Sequence, residues 1–360
     1  MKARLGDVCT VVSGSTPKST VPEYWDGDIK WITPAELSND TYIINDSARH
    51  ITALGVAKTG LKSFPAGTVI LSSRAPIGKT AIAGCEMFCN QGFKNLICSE
   101  KIDSKYLYYF LSGKTDYLNS LGRGATFKEI SKAIVENIEI PLPKVEEQKR
   151  IAARFERLLR LIQLQKAELE ELDKLVKSRF IELFGEPLSN QKGWQTMSIV
   201  EAAPIKSQRG DLADEVWLLN LDAVEPQTGT VLFKHRVQSG EINASTVYFT
   251  TENVLYSKLR PYLNKVVMPD EDGVATSEMI PMYPLADRLN RAYLCYWLRS
   301  DAFVKHISEK VAGAKMPRVS MDYFRSLAIE LPPLELQQQF AAFVEQTDKS
   351  KLCGKMEAAA

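Results

Sequence analysis

Apolar residues in the middle of the chain recur at alternating steps of four and three. From Ile151 they fall on Phe155, Leu158, Ile162, Leu169, Leu172, Val176 and Leu183, and only Gln165 and Arg179 interrupt the seam. That spacing predicts a coiled-coil helix over 144–184. Pro143 stands at its mouth, where a missing N–H costs nothing, and Gly185 followed by Pro187 ends it. Some forty residues at about 1.5 Å each make a rod of roughly 60 Å. Leu159, Leu161, Leu164, Leu175, Phe180 and Phe184 widen the stripe beyond a single seam, so more than one helix can pack against it. A rod in mid-chain separates two things, although one long helix buried in a single globule would show a similar stripe.

Before the rod, short apolar runs alternate with Gly, Pro, Asn and Asp: Ile29 to Ile32, Thr68 to Ser72, Ala81 to Ala83 and Leu96 to Cys98. These predict short strands. Tyr106 to Leu111 reads as an aromatic-rich helix, and Ile138 to Ile140 as a strand leading into Pro141-Leu142-Pro143. The residues after Gly185 repeat the plan. Trp31, Arg74 and Lys79 answer to Trp217, Arg260 and Lys265 at an offset of 186, and Tyr106 to Leu111 answers to Tyr293 to Leu298 at 187. Gly124-Ala125, Ser131, Leu142-Pro143, Glu146, Gln148 and Ala152-Ala153 answer to Gly313-Ala314, Ser320, Leu331-Pro332, Glu335, Gln337 and Ala341-Ala342 at 189. Order is kept throughout, as a duplicated unit requires.

The expected architecture is therefore α+β: domain 1 over 1–143, a central helix over 144–184, domain 2 over 185–332 and a distal helix over 333–360. Two helices packed through equivalent faces must run antiparallel about a pseudo-two-fold axis, which would place the globules at opposite ends of the bundle. The distal apolar stripe, with Phe340 and Phe343, fades after Thr347. A short distal helix would leave Ile151, Phe155, Leu158 and Ile162 waiting for a partner subunit or a second copy.

Composition adds little. A 45% hydrophobic, 25% charged chain with net charge +1 is an ordinary globular protein. Domain 1 holds 16 Lys and Arg against 14 Asp and Glu, and domain 2 holds 16 against 18. Nucleic-acid affinity must then come from local clusters. With no eighteen-residue apolar run and no basic-then-apolar leader, a cytoplasmic, membrane-free protein is expected. The six cysteines follow neither a disulfide nor a zinc spacing.

Catalytic motifs fail one by one. Gly78-Lys79-Thr80 ends like a phosphate loop, but Ser73 stands where its first glycine should be. Pro269-Asp270 with Glu278 resembles a nuclease signature, but Ile280 replaces its lysine. The only Pro-Pro, Pro332-Pro333, lies between leucines and not in a base-flipping methylase motif. His50, His235 and His306 have no nucleophile pattern around them. Binding chemistry is left. Arg74, Lys79, Arg260 and Lys265 flank turns at equal spacing, and Arg123, Lys128, Lys315 and Arg318 form a second basic pair in each domain. Cations in such loops suit phosphate or guanine contacts, and also suit a plain solvated surface. Base readout is expected in the dissimilar loops, Ser13 to Trp25 and Lys206 to Glu215.

The two exits, LGRGATFKEIS at Leu121 to Ser131 and VAGAKMPRVS at Val311 to Ser320, lead to IPLPKVEEQKRIAARF and LPPLELQQQFAAFV. In these stretches, and over nearly the whole chain, it resembles the specificity (S) subunits of Type I restriction–modification systems. The resemblance implies two target recognition domains reading the half-sites of a bipartite double-stranded DNA target. It implies conserved helices that dock two modification subunits and, through them, restriction subunits. Catalysis, with S-adenosylmethionine, ATP and Mg, would belong to those partners, and this chain would hold no cofactor. A coiled-coil scaffold with two protein-binding domains is the alternative.

Overall fold

The computed structural model describes residues 2–38, 41–74, 76–124, 128–207, 209, 214–242, 245–313 and 315–359, with side chains as far as 351. Ala125 and Ala314 of the repeat and part of the 206–215 loop lie outside them. Helices and sheets are both present, and the chain divides into two compact units, 1–162 and 163–360. The division falls inside one unbroken helix, Val145–Phe184. Gly185, at φ +83°, donates its N–H to Ile181 O and ends that helix in the left-handed turn glycine allows.

Unit 1 has a five-stranded sheet in the order Cys9–Ser13, Lys94–Cys98, Val69–Leu71, Thr80–Ala83, Ile43–Ile44. A three-stranded sheet places Trp25–Ile32 between Arg49–Ile51, antiparallel, and Phe88–Cys89, parallel. Unit 2 repeats the second motif. Glu215–Leu219 lies between antiparallel His235–Gln238 and parallel Gly273–Ala275. Trp31 and Trp217 occupy the same place, each facing an arginine across the antiparallel pair, Arg49 and Arg236. In both units the first strand closes on the last: Lys2–Arg4 with Glu139–Pro141, and Gln195–Ser198 with Ala328–Leu331.

Expected elements are present with shifted ends. The aromatic helix runs Ser104–Ser112 because Asp103 caps it, its carboxylate accepting from Tyr106 N at 3.0 Å. Its counterpart Arg291–Arg299 is capped by Asn290. Tyr106, Tyr293 and Trp297 are core residues, whereas Tyr109 is half-buried and stacks on Phe155. The Tyr106 hydroxyl donates to Pro141 O at 2.8 Å and that of Tyr293 to Glu330 O at 2.9 Å, so each helix is tied to its closing strand.

A buried glutamine joins each long helix to its unit. Gln148 Oε1 accepts from Asp103 N at 2.9 Å while its Nε2 donates to Lys101 O and Pro143 O at 3.0 and 2.9 Å. Gln337 Oε1 accepts from Asn290 N at 2.7 Å, and its Nε2 donates to Arg288 O and Pro332 O at 3.1 and 2.8 Å. Both side chains are 0% exposed. Leu334–Ala359, the distal helix, packs on the last turns of the central helix in unit 2. Phe340 meets Phe180 and Phe184, and further along Lys351 bonds Asp173, so the two helices run antiparallel.

Ile151 corrects an expectation. It is half-buried against the unit 1 core, because it is one turn from Gln148 and beside Ala152, which point inward. Phe155, Leu158 and Ile162 are 47%, 55% and 43% exposed. Leu169, Leu172, Leu183 and Phe343 are half-buried, and Val176 and Phe340 are buried.

Replacing Gln337 with Leu keeps the volume but strands one N–H and two carbonyls. A loss of roughly 2–4 kcal/mol in unit 2 stability is expected from urea unfolding. A shift below about 0.5 kcal/mol would show that the amide is not the anchor.

Candidate nucleic-acid interface

Each unit builds its basic loops on a buried serine that ends a core strand. In unit 1, Ser72 N donates to Lys79 O, its Oγ donates to Pro76 O, and that Oγ accepts from Lys79 N, all within 2.9 Å. These bonds close the loop 72–79 tightly, and Gly78 supplies the positive φ of +95° that the closure needs. In unit 2, Ser257 N donates to Lys265 O at 3.1 Å and its Oγ to Leu259 O at 3.0 Å.

The exit segment of each unit lies against this loop. Ile130 N donates to Ser73 O at 3.0 Å, and Val319 N donates to Lys258 O at the same distance. Arg123 and Glu129 exchange backbone hydrogen bonds, so the exit of unit 1 folds back on itself beside Arg74. Arg74, Arg123 and Lys128 are thus brought together on unit 1, and Arg260, Lys315 and Arg318 on unit 2.

Their side chains divide into two groups. Arg123, Lys128, Arg260 and Lys315 are exposed, with no ion pair among the described residues. Arg74 is exposed but donates to Glu129 at 2.9 Å; Lys94, buried beneath, reaches the other carboxylate oxygen at 3.2 Å. Burial alone would raise the Glu129 carboxyl, yet the hydrogen bonds from Arg74 and Lys94, with their charges, hold it below the usual carboxylate range. Arg318 grips Glu278 through Nε at 3.1 Å and Nη2 at 2.8 Å.

Lys79 and Lys265 differ from the phosphate-facing amines the equal spacing suggested. Lys79 Nζ donates to Leu37 O, and Lys265 Nζ donates to Leu221 O at 2.6 Å. Burial lowers the Lys265 pKa. The equal spacing therefore marks a repeated staple between a basic loop and a short 3-10 turn. Positions 129 and 318, equivalent by their backbone bonds, carry opposite charges: Glu129 answers to cations and Arg318 to an anion.

Three features escaped sequence reasoning. The indole N–H groups of Trp31 and Trp25 donate to Ser15 O at 3.0 Å and Lys18 O at 3.2 Å, which pins the loop 14–20. Ser15 N donates to Cys89 O, and Thr16 Oγ1 bonds Gln91 Oε1, so this loop leans on the turn Asn90–Gly92. That turn touches the basic loop in its own right, since Gly92 O accepts from Ser73 N at 2.7 Å. The Asn-Gln-Gly spelling was a turn signal, but nothing in the chain order announces its neighbours.

Around the histidines, His50 pairs with Asp46 and His306 Nε2 with the Tyr323 hydroxyl, and among the described residues neither bonds a serine or cysteine side chain. Among the described residues there is no group of three His, Cys, Asp or Glu placed to hold a metal, and no helix long and apolar enough to cross a membrane. Cys85 and Cys89 are free thiols, and burial pushes Cys89 up to about 12.

Comparison with known proteins agrees with this two-unit arrangement. The specificity subunit of the type I restriction enzyme MjaIX from Methanocaldococcus jannaschii is 31% identical over 376 residues, covering 95% of this chain and 85% of that protein. The MjaVIII specificity subunit of the same organism is 24% identical over 391 residues, covering 96% and 85%. Among solved structures, the S subunit of a Type I restriction–modification system from M. genitalium superposes with a TM-score of 0.58 at 16% identity, covering 100% of this chain and 92% of that one. A chain from a structure of type I R-M complex assembly and conformational transition gives 0.63 at 18%, covering 100% and 93%. At such identities these two speak for the fold alone. The family described as the Type I restriction modification DNA specificity domain matches residues 1–174 and again 191–355, and the chain therefore belongs to that family as a specificity subunit with two recognition domains.

Proposed function

We propose that the two units read the two half-sites of a bipartite double-stranded DNA target and that the chain itself performs no chemistry. The observation that carries this reading is a repeated frame bearing unlike loops. The same serine, lysine and glutamine bonds recur in both units, while the exposed side chains around them differ. A frame built twice to present different polar edges suits two different short sequences.

Arg123, Lys128, Arg260 and Lys315 supply phosphate contacts in this reading, with Arg74 shared between phosphate and Glu129. The exposed stripe of Leu158 and Ile162, with the free face of Phe155, receives a modification subunit. Two such subunits join the complex, restriction subunits join through them, and S-adenosylmethionine, ATP and Mg bind to the partners. The modification subunits flip and methylate the target base. The central helix sets the unread gap between half-sites.

Arg260→Ala should weaken DNA binding of the assembled complex at every sequence and reduce the slope of log affinity against log salt by about one. An unchanged slope in a salt titration would exclude a phosphate contact. Glu129→Gln removes the anion that competes for Arg74, and should strengthen binding and steepen that slope; weaker binding would contradict the shared role. Because the carboxyl sits below its ordinary value, it stabilises unit 1 fully above about pH 5 and loses that contribution as pH falls through its lowered pKa. The stability gap between parent and Glu129→Gln should close over the same acid range in unfolding experiments.

Inserting four residues after Gln165 adds about 6 Å of helix, or one to two base pairs at roughly 3.4 Å each. Mapped methylation sites should show a longer gap between unaltered half-sites, and the parent gap would refute the helix as spacer.

A further inference from the structure

The turn Asn90–Gly92 is the meeting point of the polar loops of unit 1. On one side Ser15 N donates to Cys89 O at 3.1 Å, and on the other Ser73 N donates to Gly92 O. Asn90 Oδ1 accepts from Gly92 N at 2.8 Å, and Asn90 N donates to Ile32 O at 3.1 Å. The packing leaves no slack. A Cβ on Gly14 would come within 2.0 Å of Cys89 O, and one on Gly92 within 2.8 Å of Pro34. With the two indole N–H groups holding Ser15 and Lys18, the turn is fixed by bonds from both flanks before any ligand arrives.

At its tip stands Gln91, exposed, its Oε1 accepting from the Thr16 hydroxyl. That bond uses one lone pair and orients the amide. The second lone pair of Oε1 remains, and among the described residues nothing accepts from Nε2. An amide with an acceptor and a donor side by side matches the N6–H and N7 of adenine in the major groove. Exposed cations flank it in the chain segments bonded to either side: Lys18 in one loop, Arg74 in the other, with Arg123 in the exit beyond. Phosphate contacts set register while base edges carry the sequence, and exposed cations in the neighbouring segments with an oriented amide between them suit that division.

We propose that Gln91, held in place by Thr16, is a base-reading side chain of the first recognition unit and that its ligand is an adenine edge. The proposal rests on unit 1 being a DNA reader, and it goes further by assigning a residue and a base. In unit 2 the position at the matching offset of 186 is Ser277, followed by Glu278, which Arg318 occupies. The second unit has no such amide there, consistent with an unlike half-site.

The test is methylation mapping in cells that express the chain with its modification subunits and no other adenine methylase. Gln91→Ala should relax one A·T position in a single half-site, with discrimination there falling about ten- to a hundredfold and the other half-site unchanged. Thr16→Val should relax the same position less, since the amide remains but loses its orienting bond. Thermal unfolding of both variants should match the parent. An unaltered target in Gln91→Ala overturns the assignment while leaving the two-reader function standing. A uniform loss of methylation with no position relaxed also overturns it, because it marks a structural role. A parent complex that methylates no bipartite site removes the reading on which the proposal rests.

Discussion

Two glutamines with no solvent exposure decide how each half of this protein is put together. The first turn of a helix leaves N–H groups free, and the strand entering it leaves carbonyls free. Where that junction is buried, something polar must satisfy them. Gln148 and Gln337 do so with one acceptor and two donors apiece, and their partners come from the first and third residues before the aromatic helix and from the proline two residues before the long one. Two segments, 45 residues apart in unit 1 and 47 in unit 2, are thereby brought to one point. The tyrosine hydroxyls bonded to the closing strands add a second tie a few residues away.

Once the junction is fixed, the loops away from it are free to differ. The serine-closed loop, the lysine staple and the exit segment recur with the same backbone bonds. What they display does not recur. Unit 1 shows Thr16, Gln91 and Arg74, whereas unit 2 shows Arg260, Lys315 and an Arg318 locked to Glu278. A frame satisfied internally can present changed side chains without a new fold each time, as expected of recognition domains that share one family and differ in target.

The helix over 145–184 was legible because a periodic apolar stripe with a terminal glycine is a local signal, and the duplication was legible because matching residues keep their order. Five strands of unit 1 were found without their limits, and others such as Cys9–Ser13 and Arg49–Ile51 were missed, since pairing partners decide where a strand forms and ends. Among candidate site residues the limits of sequence are plain in Lys79 and Lys265. Equal spacing showed that they matter in both units, but whether an amine faces solvent or a carbonyl depends on where Leu37 and Leu221 come to lie. Gln91 and Thr16 stand 75 residues apart, and only the fold makes them neighbours.

Positions 129 and 318 add a consequence for how such chains can be recombined. Glu129 is neutralised by Arg74 and Lys94, and Arg318 by Glu278, so the sign at this shared position is matched to residues contributed by other strands of the same unit. A crossover that carried the exit of one unit onto the sheet of the other would set a third cation against Arg74 and Lys94, or a second carboxylate against Glu278. An exchange of whole units would keep each of these charges with its partner, while a joint inside a unit would separate them. Diversification of targets should therefore proceed by exchange of intact halves, with breakpoints gathering in the segments that lead into the long helices.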